Sequence, residues 1–166
     1  MSVLVENAAP PNFRKAIVEL DKKMIDRPGI MMGNSPEYAA LCPLKHTFVD
    51  GAYVRELFMP KGMVFSTRVH RITHAYFLLK GDVSVLTEQG IVRLRAPLSG
   101  VTLAGTKRLI YTHEDTIWVT VHVTKETDLK KIEEEVTAEN FDSLDGVIDV
   151  EAQKIEIDQF IGRVLE

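Results

Sequence analysis

GMVFSTRVHRITHAYFLLKG, residues 62–81, is the stretch that decides the fold. It is rich in β-branched and aromatic residues and bounded by glycines, which reads as strand between turns. His70 and His74 stand four residues apart within it. Strand side chains alternate faces, so Arg68, His70, Ile72 and His74 are expected on one face. Two imidazoles and a guanidinium are costly to bury without partners. Such a face is expected to point at water, a metal or a ligand.

The β texture extends well beyond this segment. From Lys45 the chain runs HTFV, Asp50-Gly51, YVRELFM, then MVFSTRVHRI, AYFLL, VSVLT, IVRLRA, KRLIYT and TIWVTVHVT. Asp50-Gly51 is a strong tight-turn signal. Further turns are expected at Pro60 to Gly62, Lys80 to Asp82, Glu88 to Gly90, Pro97 to Gly100, Ala104 to Thr106 and His113 to Asp115. Seven or eight strands at roughly ten-residue spacing point to a sandwich or barrel. Closing the sheet would also cover its edges.

Both ends read differently. Residues 1–11 end in Pro10-Pro11 and look like an extended arm. Asn12 can cap a helix carrying the apolar stripe Phe13, Ile17, Leu20 and Met24. Pro28-Gly29 should end it. Residues 30–44 read as loop, with a short helical turn at Pro36 to Leu41. From Thr127 the texture is helical, with Leu129, Ile132 and Val136 beside a charged face. Residues 137–149 are acidic and loop-like. Residues 150–165 read as a helix through Ile157, Ile161 and Val164, although alternation of Ile155 and Ile157 favours a strand start. The chain divides into an N-terminal arm and helix (1–44), a β-barrel (45–124) and a helical C-terminal tail (125–166).

Composition sets the bounds. The chain has 166 residues, 45% of them apolar, enough for a core. The net charge is −4 and the pI about 5.8, which argues against a general nucleic-acid binder. Cys42 is the only cysteine, so neither a disulfide framework nor a cysteine zinc cage can form. No secretory leader and no membrane-length apolar run is visible, and the expected setting is the cytoplasm.

The segment 62–81 resembles the first cupin motif, which sets two histidines and a glutamate on paired strands ahead of a glycine turn. His74 stands seven residues before Gly81, at the glutamate position, and His70 stands at the second-histidine position. Arg68 then falls at the first-histidine position. Leu103-Ala104-Gly105-Thr106-Lys107-Arg108 resembles the second motif, with leucine in place of the proline and Arg108 in place of the histidine. The resemblance covers about residues 45–124. CPLKHTFVDGAYVRE, FLLKGDVSVLTE, APLS, AGTKR, YTHEDTIWVTVH and ETDLKKIEEE are also similar to small phage and prophage cupin-like proteins. The resemblance implies an all-β jelly roll, or double-stranded β-helix, between an N-terminal helix and a helical tail. It also implies packing as a homodimer or higher homo-oligomer. It supplies no activity.

Three site readings stand side by side. If the two motifs converge, Arg68, His70, His74 and Arg108 line one pocket; Trp118 is expected in the core or under a helix, with stacking on a ligand ring as the alternative. Arginine forks suit carboxylate or phosphate oxygens. Lys107 should then point away from Arg108. A divalent metal on His70, His74 and His122 is the second reading, but arginines hold two of the four ligand positions and cannot coordinate. In the third, the arginines pair with Glu56, Glu88, Glu114 or Asp115 and the barrel is purely structural. His113-Glu114-Asp115 is expected to be a turn, His46 to be exposed and Cys42 to be no nucleophile.

The leading expectation is a phage or prophage protein that binds an anionic small molecule (a sugar phosphate, nucleotide or organic acid) in a basic barrel pocket, in the host cytoplasm. Its cofactor is none or a divalent metal, and no enzyme activity is assigned. The alternatives are a metal-dependent cupin enzyme of isomerase or oxygenase type, and a phage structural protein.

Overall fold

A computed structural model of the chain describes residues 5–7, 12–25 and 36–144. In chain order the elements are β1 (Val5–Asn7), α1 (Phe13–Ile25), α2 (Pro36–Leu41), β2 (Leu44–Val49), β3 (Ala52–Met59), β4 (Val64–Ser66), β5 (Val69–His70) and β6 (His74–Lys80). They continue with β7 (Asp82–Thr87), β8 (Gly90–Arg95), β9 (Leu98–Thr102), β10 (Leu109–Thr112), β11 (Thr116–Val123), α3 (Leu129–Val136), β12 (Thr137–Ala138) and a 3-10 turn, Phe141–Leu144.

The strands form two five-stranded antiparallel sheets, ordered β1-β8-β7-β10-β4 and β2-β3-β11-β6-β9, plus a small β12-β5 ribbon. Two antiparallel sheets of this kind agree with the jelly-roll β-barrel expected from the sequence. Its core comes from the alternating inward positions of both sheets: Met59, Leu78 and Trp118 from one, Val83, Val85, Leu94 and Ile110 from the other. Burying one such large side chain contributes about 1.5–3 kcal/mol. Asp50-Gly51 makes the β2–β3 hairpin, with Gly51 at φ 76°. Gly81 joins β6 to β7 at φ 106°, and a Cβ there would stand 2.9 Å from the Thr116 Cα.

Three expectations are corrected. MVFSTRVHRI is not one strand: it breaks into β4 and β5, and residues 71–73 turn the chain into β6. Arg68, His70, Ile72 and His74 therefore share no strand face; Arg68 and Ile72 are exposed. Pro97 to Gly100 is not a turn, because Leu98–Thr102 pairs along β6. Gly100 is needed there, since the Tyr76 ring lies where its Cβ would be, 2.6 Å away. Residues 5–7, within the expected arm, add a strand to β8.

The helices pack as amphipathic elements do. Phe13 and Ile17 of α1 are buried, and the Asn12 carbonyl accepts from Ala16 N at 3.1 Å. Arg14 pairs with Glu88, and Asp21 with the buried Lys107 at 2.8 Å, so α1 is clasped to the barrel. The Asp128 carboxylate caps α3 by accepting from Lys130 N and Lys131 N. Ile132 and Val136 then pack on Tyr53, while Leu129 stays 42% exposed, outside the expected stripe. The helix end expected at Pro28-Gly29 and the helix expected at 150–165 lie outside the described residues. No helix among the described residues is long and apolar enough to cross a membrane.

Candidate functional site

The inward face of the second sheet carries the chemistry. The register sets Tyr53 opposite both Phe48 and His122, Arg55 opposite His46 and Thr120, and Tyr76 opposite Thr120 and Gly100. His74 stands opposite Thr102, one step past the Ala75–Val121 pair that places it beside His122. Alternation makes these residues neighbours on one surface.

The imidazoles of three strands meet there. Ring centroids are 4.7 Å apart for His70 and His74, and 4.3 Å for His74 and His122. His70 arrives from the β5 ribbon, which β12 holds through the Thr137–His70 pairing. His122 stacks on Tyr53 at 6.0 Å, and the Tyr53 hydroxyl is 2.7 Å from His46 Nδ1. His74 Nδ1 is 3.0 Å from the Ile72 carbonyl oxygen, which fixes it as the protonated nitrogen of that ring.

Arg108 enters the same cluster. Its guanidinium donates from Nη2 to Thr102 Oγ1 at 2.7 Å and lies over the rings of Tyr76 and Trp118, at 5.2 and 5.8 Å. It has no carboxylate partner among the described residues. Its Nε, together with His70 Nδ1 and His122 Nδ1, is buried without a hydrogen-bond partner. Three orphaned polar atoms on one surface are unusual, because buried polar groups are nearly always paired.

Electrostatics follow from that burial. Burial, then the His74 ring and the Arg108 guanidinium, hold His70 well below the ordinary imidazole value. Burial lowers His74 too, against the pull of the Ile72 carbonyl. Burial, His74 and Arg55 bring His122 down to about 4. All three are therefore neutral at pH 7, and the positive charge belongs to the arginines.

The site expectations divide. His70, His74, His122 and Arg108 come together. Arg68 does not: it lies in the break between β4 and β5, is exposed, and pairs with Glu133 of α3 at 3.5 Å. Lys107 points away from Arg108, towards Asp21 and the Thr67 carbonyl. Trp118 is buried, and its face is occupied by Tyr76 at 4.7 Å, so it supports the cluster from within the core. None of the acids expected to pair with Arg68 or Arg108 does so. Residues 113–115 form the expected turn, where Asp115 accepts from Lys61 N at 3.0 Å. Burial raises the Cys42 thiol, which rests 3.3 Å from Met63 Sδ, as suits a core sulfur. His46 is exposed, as expected.

The donor set does not fit a divalent metal. Among the described residues no group of three His, Cys, Asp or Glu side chains is disposed to hold one. A buried guanidinium beside the imidazoles would repel a cation, and no carboxylate among the described residues is there to offset it.

Arg55, Tyr53 and Thr102 escaped the sequence reading. Arg55 occupies an inward position of YVRELFM, between Tyr53 and Leu57, and that placement was its only local signal.

No protein-family model matches the chain. No curated protein matches it either. Similar solved structures include the cupin domain of Schizosaccharomyces pombe Cnp3, 14% identical over 57% of this chain and 72% of that chain, with a TM-score of 0.43. Ectoine synthase from P. lautus is 11% identical over 57% and 72%, with a TM-score of 0.48. KdgF from Halomonas sp. is 15% identical over 54% and 84%, with a TM-score of 0.46. Nothing about function follows from likeness of that size.

Proposed function

We propose that the protein binds a small anionic molecule through the cluster around Arg108. The observation that carries this reading is the buried guanidinium whose Nε has no acceptor and which has no carboxylate partner among the described residues. A buried unpaired charge costs several kcal/mol. An incoming carboxylate or phosphate would accept from Nε and offset that cost. His70 and His122 each keep a buried, unpaired Nδ1 in the same cluster, able to donate to an anion in the right tautomer. Sugar phosphates, nucleotides and organic acids belong to the ligand class.

A cytoplasmic setting in a phage-bearing host belongs to the same reading, supported by the single cysteine and the similarity of sequence strings. So does self-association, supported by Phe77, Leu79 and Val101, which are exposed on the outward face of the second sheet. Sedimentation equilibrium measures that state directly.

The test of binding is calorimetric titration of the full chain with inorganic phosphate. Saturable, salt-sensitive binding is expected, weakened at least tenfold in Arg108→Met, which keeps the packing volume. Circular dichroism confirms that the variant folds. Unchanged phosphate affinity in that variant would overturn the reading.

A further inference from the structure

We infer that the ligand carries two negative charges and that Arg55 is its second anchor. This rests on the anion-binding reading above and goes beyond it in naming a residue and a charge.

Arg55 lies on the inward face of β3, opposite His46 on β2 and Thr120 on β11. Tyr53, two residues earlier on the same face, stacks on His122. Arg55 is half-buried, with no ion pair and no hydrogen bond among the described residues. Several other cations on or against the barrel find acids. Arg14 has Glu88, Arg68 has Glu133, Arg93 and Arg95 share Asp82, and Lys107 has Asp21. Glu56 is next to Arg55 in sequence but faces the other way, towards Lys45 at 4.0 Å. Among the described residues the inward face of this sheet thus holds two guanidiniums and no carboxylate.

His70 lies within the field of both. Arg108 and Arg55 each push its titration down, and Arg55 does the same to His122. With the imidazoles neutral at pH 7, the uncompensated charge is that of the two arginines. A monoanion would satisfy one and leave the other. A phosphate monoester or a dicarboxylate would answer both, and guanidinium forks suit the oxygens of either. Access is available beside Arg55. The inward residues of β2, His46 and Phe48, are exposed, Phe48 by 41% even while stacked on Tyr53.

The experiment is calorimetric titration of the full chain at pH 8 with inorganic phosphate, succinate and acetate, repeated in Arg55→Gln, Arg55→Lys and Arg108→Met. At least one dianion should bind tenfold or more tighter than acetate, and which one does so distinguishes phosphate from dicarboxylate chemistry. Arg55→Gln should remove that advantage and leave acetate within twofold. Arg55→Lys, which keeps the charge without the fork, should lose part of it and covers a failure of the glutamine variant to fold. Acetate binding as tightly as both dianions, or an equal loss of all three anions in Arg55→Gln, would overturn the inference while leaving the anion reading intact. Indifference of every anion to Arg108→Met would overturn both.

Discussion

The rings of His74 and His122 lie 4.3 Å apart on neighbouring strands, with the His70 ring 4.7 Å from that of His74. Side chains this close cannot all carry charge, and burial makes even one charge expensive. The consequence for stability has a definite sign. The folded His122 takes its proton at about 4, whereas an unfolded histidine does so at about 6.5. As pH falls through 6.5 the unfolded chain is protonated first, so stability is full above that value and is lost towards pH 4. The loss from His122 alone is on the order of 3 kcal/mol. Urea unfolding at pH 7, 6, 5 and 4 should show a midpoint that falls across this window. His122→Phe should flatten the fall, and a flat curve in the unaltered chain would refute the account.

Arg68 provides a contrast. It is exposed and paired with Glu133, away from the inward face. Arg68→Ala should leave anion affinity within twofold. It should change stability by less than about 1 kcal/mol, as surface pairs do. A tenfold loss of phosphate affinity in this variant would return Arg68 to the site and undo the present assignment.

Those two residues also show what was legible in the sequence. The strand texture and the turn glycines are local properties, and the jelly roll follows from them. The structure brings the histidine rings together, but not through the shared strand face that their spacing suggests. His70 and His74 meet because the chain turns at residues 71–73, whereas Arg68 lies in the break at residues 67–68, between β4 and β5. Pro97 and Gly100 signal a turn locally, yet the segment pairs with β6 because glycine alone leaves room for the Tyr76 ring. Arg55 was invisible as a site residue because its surroundings depend on the register of β3 against β11, a pairing between distant parts of the chain.

Gly100 makes that last point testable. Its missing side chain is where the Tyr76 ring lies, and Tyr76 in turn stacks on Trp118 at 4.7 Å beneath Arg108. Gly100→Ala must displace the ring and disturb the stack. The expected cost is about 1–3 kcal/mol, as for other overpacked cores. Near-ultraviolet circular dichroism should lose part of its Trp118 and Tyr76 signal. A variant with unchanged stability and spectrum would mean that the ring does not lie over this glycine.

The clasp between α1 and the barrel has an asymmetric weakness. Lys107 is 5% exposed, pairs with Asp21 at 2.8 Å and donates to the Thr67 carbonyl at 2.6 Å. Asp21→Ala removes the less buried partner and strands the ammonium in the interior. Breaking a buried pair from one side costs about 3–5 kcal/mol, and the partial exposure of Asp21 places this case at the lower end. Lys107→Met removes the charge itself and keeps most of the volume, so its cost should be smaller. Chemical denaturation of the two variants ranks them. If Lys107→Met proves the more damaging, the charge is not stranded when Asp21 is lost, and the clasp acts through packing instead.

The same imidazoles that weaken the fold in acid should strengthen its hold on an anion. A bound anion favours the imidazolium form, so binding raises the histidine pKa values and takes up protons. Affinity must then increase as pH falls from 7 towards the free-protein values, about 4 in the case of His122. Sulfate is the suitable probe because its own charge stays constant over this range. Titrations at pH 7 and 5.5, in buffers of different ionisation enthalpy, report both the affinity and the proton uptake. Tighter binding at pH 5.5 with net uptake is expected, and both should shrink in His70→Gln. Binding that weakens on acidification would place the anion away from the histidines, because protonating a neighbouring imidazole can only draw a dianion closer.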